Sequence, residues 1–307
     1  MDFINNQSVP RKIYFVYRRS QSHLGSIEMR ARQFSATLSK LGIRTDLIPI
    51  FEFRNRYVEL LWCSRLEPGS VAVFIKDAMT RLTKNGRGRL AKKNISVMFD
   101  VLDLDINRFD YEGIDTIITS SSRQYKYFNS LKQTNRLNLL HVMHQPDIRL
   151  EENENIKKTR KICYYGEHMN IYLPTEYLSK VDILNYTGKM ENEDIKNLSQ
   201  YEFNYCIRGP QQNTSLFIFK PITKIMNSIQ LNSLPIISFD MDDAVELLGK
   251  EYPFILSSYS KKGFSDLFKK TNSTDHINKG MMIIKKLRKE TSSNFISKDF
   301  LKGLYTK

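Results

Sequence analysis

One stretch limits the fold more than any other. In residues 220–238, KPITKIMNSIQLNSLPIIS, the apolar positions Ile222, Ile225, Met226 and Ile229 recur at the period of a helix with one buried side. Asn232-Ser233 then stops the helix, and Leu234-Pro235-Ile236-Ile237-Ser238 reads as a short buried strand. A helix that delivers the chain straight into a buried strand belongs to a parallel sheet, because parallel neighbours need a crossover between them.

The rest of the chain repeats this alternation. Apolar, β-rich runs fall at residues 12–17, 43–50, 71–75, 95–99, 114–119 and 139–143, then at 161–165, 181–186 and 254–257, with helical or polar stretches between them. A helix is expected from Ser26 to Lys40, another beginning near Met79, and basic helices over 277–287 and 295–304. With 307 residues the chain can hold two α/β domains of about 150 residues each. The charged, aperiodic run Glu151–Lys158, EENENIKK, is the natural linker, giving domains 1–150 and 151–307.

In open parallel sheets chemistry collects beyond the carboxyl ends of the strands. In the first half that rule selects the loops carrying His23, Asp77, Asp100, Asp103 and His144. Asp77 or His144 would supply a general base where the reaction needs one, and the sequence leaves open whether it does. The run Asp100, Asp103, Asp105 is more readily an acidic turn than a cation site, so no metal is expected. Cys63, Cys163 and Cys206 are few and widely spaced, as buried reduced thiols would be.

A net charge of +14 suits an anionic partner: a diphosphate, an anionic membrane face or nucleic acid. Much of the excess lies in the C-terminal segment and in residues 84–93, KNGRGRLAKK. That second run lacks phosphate-loop spacing and reads as a solvated basic loop or helix end. In the second half, Lys220, Thr223, Lys224 and Asn227 fall three to four residues apart, a stripe at a helix start suited to an anionic group. Before it stands a strand ending at Arg208, and after it an acidic helix start with Asp240, Asp242, Asp243 and Glu246.

This order resembles the donor-binding half of GT-B glycosyltransferases, in particular bacterial polysaccharide enzymes with a K-P-x-T-K-x-x-N segment. The matching positions are Arg208, Lys220, Pro221, Thr223, Lys224, Asn227 and Pro235, within about 50 of the 307 residues. Ser228 stands where such enzymes usually carry alanine, and Asn232-Ser233 where they carry alanine-glycine. The resemblance implies two Rossmann-like domains facing each other across a cleft, acceptor side first and nucleotide-sugar donor side second. It implies that Arg208, Lys220 and Lys224 grip the diphosphate, that Thr223 and Asn227 hydrogen-bond phosphate or ribose oxygens, and that Asp242, Asp243 or Glu246 accept from the ribose. The expected reaction is metal-independent glycosyl transfer, with the nucleotide sugar as substrate and no further cofactor. The expected acceptor is a glycan or lipid-linked glycan of surface polysaccharide synthesis.

No stretch approaches the length of a membrane span and no signal peptide opens the chain, so a cytoplasmic enzyme with peripheral contact to the inner membrane face is expected. Two alternatives are a DNA-base glycosyltransferase of the same fold, drawn to phosphates by its charge, and a non-catalytic nucleotide-binding protein.

Overall fold

The computed structural model describes residues 10–102, 109–131, 136–150, 157–186, 190–210 and 219–305. The chain forms two compact units. One comprises Met1–Met143, Phe219–Pro221 and Ile296–Lys307, and the other comprises His144–Ile218 and Ile222–Phe295.

The first unit is a six-stranded parallel sheet in the order β2-β1-β3-β4-β5-β6. Its strands are β1 Ile13–Arg18, β2 Thr45–Ile50, β3 Val71–Ile75, β4 Ser96–Asp100, β5 Thr116–Thr119 and β6 Asn138–His141. β3 is buried along its whole length, and a strand covered on both faces is apolar throughout rather than alternating. One face packs Tyr14, Phe74, Phe99 and Ile117 against Trp62, Leu90 and Phe128. The other carries an aromatic cluster in which Phe34 meets Phe15 edge-on at 5.7 Å and Phe300 at a tilt at 5.3 Å.

The helix after β1, expected to be capped by Ser26, starts instead at Gly25 with Leu24 in the N-cap position, as α1 Gly25–Ile27. It passes through a π-helical turn at Glu28–Gln33 and continues as α2 Phe34–Lys40. The π turn holds Arg30, which is fully buried. The basic run expected as a solvated loop or helix end is largely an α-helix, α4 Lys84–Lys92, capped by Thr83, and it is not solvated throughout, since Arg87 is buried. The helix expected near Met79 is a 3-10 segment, Lys76–Arg81. Helix α3 Arg56–Ser64 has no counterpart among the expected elements. α5 Ser122–Ser130 completes this set of helices.

The second unit is a five-stranded parallel sheet, β11-β10-β9-β7-β8. Its strands are β7 Arg160–Tyr165, β8 Asp182–Leu184, β9 Tyr201–Tyr205, β10 Leu234–Ser238 and β11 Ile255–Leu256. Its helices are α6 Asn192–Leu198, α7 Thr223–Gln230, α8 Asp242–Leu248, α9 Lys261–Lys270 and α10 Thr274–Leu287, and α11 Ser293–Tyr305 ends the chain. Much of the expected linker, 151–156, lies outside the described residues, but Lys158 does not behave as linker. Its ammonium donates to the carbonyls of Ser199 and Leu231 and to Ser233 Oγ at 2.7–2.9 Å. Among the described residues no helix is long and apolar enough to cross a membrane.

Candidate functional site

Numbered within its own unit, the second sheet has the order 2-1-3-4-5, so its topological switch falls between β7 and β9. Loops leaving the two strands in opposite directions open a crevice at such a point. The loop after β7 begins with Gly166, and the loop after β9 is Cys206-Ile207-Arg208-Gly209. The strand ends at Tyr205, three residues short of the arginine expected to end it.

Lys224, in the first turn of α7, reaches toward this crevice. Its Nζ lies 3.7 Å from the centre of the Tyr164 ring and 5.4 Å from that of Tyr165. Gly166 has φ +123°, which L side chains rarely adopt, and a Cβ there would stand 3.0 Å from the Lys224 ammonium. Tyr164 donates its hydroxyl proton to the carbonyl of Glu167 at 2.8 Å, and Tyr165 donates to the carbonyl of Lys224 at 3.3 Å, which fixes both rings.

Arg208 bears on the same place. Its charge is felt at Tyr164, and those of Lys224 and Arg208 are both felt at Cys206. Burial pushes the Cys206 thiol up to about 11 in spite of the two cations, so this cysteine is a thiol and not a nucleophile at neutral pH. The Arg208 backbone is held by the Tyr259 hydroxyl, 2.9 Å from its carbonyl oxygen and within 2.8–2.9 Å of the Asp240 carboxylate. Gly209 permits the close approach of Tyr172, whose ring would stand 2.7 Å from a Cβ.

The remaining donor-side residues divide. Thr223 opens α7 and is partly buried. Asn227 is buried, and its Oδ1 accepts the backbone N–H of Asp147 at 2.9 Å, so here it ties two segments together. Lys220 precedes the helix rather than sharing its stripe, and it belongs to the first unit. Asp242 and Asp243 lie in the first turn of α8, where the helix dipole favours carboxylates, with Glu246 exposed one turn on.

The first sheet has its own switch, between β1 and β3, and Asp77 lies just beyond it. Its Oδ2 accepts from Arg18 Nη1 at 2.8 Å and from Gln21 Nε2 at 3.0 Å, while its Oδ1 is buried with no hydrogen-bond partner. Lys76, immediately before it, has φ +53°, a strained setting for a lysine. His144 is buried and is the first residue of the second unit, with Nδ1 2.9 Å from the carbonyl oxygen of Gln145. His23 is exposed in the loop after β1. Asp103 and Asp105 lie outside the described residues.

Two residues that the sequence did not single out complete the first unit's polar end: Arg18, and Arg30 from the π turn. Arg30 Nε donates to Asp100 Oδ2 at 2.6 Å, and its terminal nitrogens donate to the carbonyls of Val142 and Met143. Burial pushes the Asp100 carboxyl up, and Arg30 supplies the main opposing pull. Arginines at the end of β1 and inside an apolar helix face were the available signals. Among the described residues no group of three or more His, Cys, Asp or Glu side chains is placed to hold a metal ion.

Compared with known proteins, the chain matches no family model and no curated sequence. Solved structures do match over nearly its full length. A glycosyltransferase from Rickettsia africae ESF-5 superposes with TM-score 0.67 at 10% identity, covering 98% of this chain and 100% of that one. The lipopolysaccharide outer core galactosyltransferase WaaB superposes with TM-score 0.60 at 8% identity, covering 96% and 99%. Anabaena Alr3699/HepE, crystallised with UDP and glucose, superposes with TM-score 0.57 at 8% identity, covering 97% and 100%.

The fold is GT-B. At such identities the likeness fixes the fold and leaves the chemistry to the residues. On a GT-B chain the two switch points described above carry different chemistry: cations and ordered rings in the second unit, an arginine-held carboxylate in the first.

Proposed function

We propose that this chain moves a glycosyl group from a nucleotide-sugar donor to a glycan or lipid-linked glycan acceptor of surface polysaccharide synthesis, without a metal ion. One observation carries the reading: Lys224 Nζ stands 3.7 Å from the Tyr164 ring at the switch point of the second sheet, where the loop after β9 brings Arg208. Glycosyl transfer leaves a nucleoside diphosphate whose charge grows as the bond to the sugar breaks. Fixed cations placed in advance stabilise that charge more than they stabilise the intact donor. Lys224 and Arg208 take this role. The Thr223 hydroxyl and the positive end of the α7 dipole face the phosphate oxygens, and Asn227 sets the helix in place. Asp242, Asp243 or Glu246 accepts from the ribose hydroxyls.

In the first unit Asp77 is the acceptor-side base. Arg18 and Gln21 orient it through Oδ2. His144 is the second candidate for that step.

The reading is tested by thermal shift with a panel of nucleoside diphosphates, UDP first, each with and without EDTA. One diphosphate is expected to raise the melting temperature, EDTA to leave that rise intact, and Lys224→Ala to abolish it with the apo melting temperature unchanged. A Lys224→Ala protein that folds and responds like the wild type would place the donor elsewhere.

A further inference from the structure

Helix α3 buries one side and leaves an apolar surface on the other. Trp62 and Cys63 enter the core, and Glu59 is buried with its carboxylate accepting from the backbone N–H and the hydroxyl of Thr83. Tyr57, Leu60 and Leu61, at the spacing i, i+3, i+4, point outward and are 73%, 42% and 66% exposed. Phe51, in the segment before the helix, is 39% exposed. Four large apolar side chains within eleven residues of sequence exceed the scattered exposure that ordinary surfaces show.

The same region is strongly basic. Arg54, Arg56 and Arg65 are exposed around the apolar stripe. Between α3 and α4 lies a groove of about 710 Å³ lined by Arg56, Lys84, Arg89 and Lys92. Glu112 pairs with Lys84 at 2.5 Å and Glu59 is turned to Thr83, which leaves Arg56, Arg89 and Lys92 as the cations that give the groove its positive excess. Glu52, next to Phe51, is paired with Arg81 at 2.6 Å.

We infer that this face of the first unit, the outer stripe of α3 with the cationic groove beside it, docks on an anionic lipid bilayer. Charge complementarity selects the occupant. Aromatic and leucine side chains ringed by arginines match an interface where acyl chains meet phosphates, whereas a water-soluble anion would leave the apolar stripe uncovered. Tyr57, Leu60, Leu61 and Phe51 enter the headgroup boundary, and Arg54, Arg56, Arg65 and the groove cations contact lipid phosphates. The inference stands apart from the donor assignment, since all of its residues lie in the first unit.

The full chain is floated with vesicles of phosphatidylcholine, with and without phosphatidylglycerol, at low and at raised salt. Flotation is expected with the anionic vesicles only, and added salt is expected to weaken it. Leu60→Ser with Leu61→Ser, and separately Arg54→Glu with Arg56→Glu, should each lower the bound fraction about tenfold or more at an unchanged melting temperature. Lys224→Ala should float like the wild type, so failure of the donor site and failure of this surface are read separately. Equal flotation with neutral vesicles, or wild-type flotation by both double variants, would overturn the inference. So would a wild-type dimer in solution that the double serine variant dissociates, because the stripe would then be an interface between copies of the chain.

Discussion

Lys158 sits at the end of a run of charge that looks solvated, yet its ammonium is buried among two carbonyls and a hydroxyl of the second unit. Burial lowers its pKa from the ordinary 10.5 to about 8. The sign of the consequence follows from proton counting. Between pH 8 and 10.5 the unfolded chain holds the proton and the folded one gives it up, so the lysine's contribution to stability rises with pH through that window. The unfolding free energy of wild type minus that of Lys158→Met should therefore move in favour of wild type as pH rises from about 8 toward 10.5. Chemical denaturation of the pair at several pH values measures this, since the titrating thiols and phenols common to both cancel. A flat difference would mean that the ammonium keeps its water. Arg30 is a second residue of this kind, because its partner Asp100 lies 70 residues away and no local spacing announces the pair.

Helices α3 and α4 show how elements escape a reading by period. An amphipathic helix is recognised by one apolar and one polar face. α3 is only nine residues long, and it exposes Tyr57, Leu60 and Leu61 while burying Glu59, so the burial in RYVELLWCS does not follow polarity. α4 was hidden by its glycines, Gly86 and Gly88, which suggest a loop. The structure gives Gly86 a packing reason instead: a Cβ there would stand 2.5 Å from Glu59 Oε1 and 2.6 Å from Leu82 Cδ1. The glycine lets α4 lie against the carboxylate that bonds Thr83, the residue that caps α4. Gly86→Ala should accordingly destabilise the protein by about 1–3 kcal/mol, as overpacking of a tight contact does, even though alanine favours helix. Melting with denaturant measures this. A gain in stability would show that Glu59 moves aside freely.

Across the whole molecule, the chain does not finish in the unit that holds most of its second half. Ile296–Lys307 belongs to the first unit, where Phe300 is fully buried against Phe34. Phe300→Ala is expected to cost about 3–5 kcal/mol, the range for emptying a buried aromatic site. A change within about 0.5 kcal/mol, the usual span of surface substitutions, would show that the last helix is dispensable to that core. The sequence by itself determined the parallel α/β architecture: buried strands are short apolar runs, helices between them carry one apolar face, and both patterns are local. It also marked Lys224, Arg208 and Asp77, because residues just past strand ends and at helix starts fall at the functional edge of such sheets. Only the tertiary structure decided which of them meet what: that Lys224 rests on Tyr164 beside a glycine, that Asn227 is spent on Asp147, that Arg18 holds Asp77, and that the last helix returns to the first unit. Periodicity encodes which face of an element is buried, but the partner across the fold is set by packing between segments far apart in sequence.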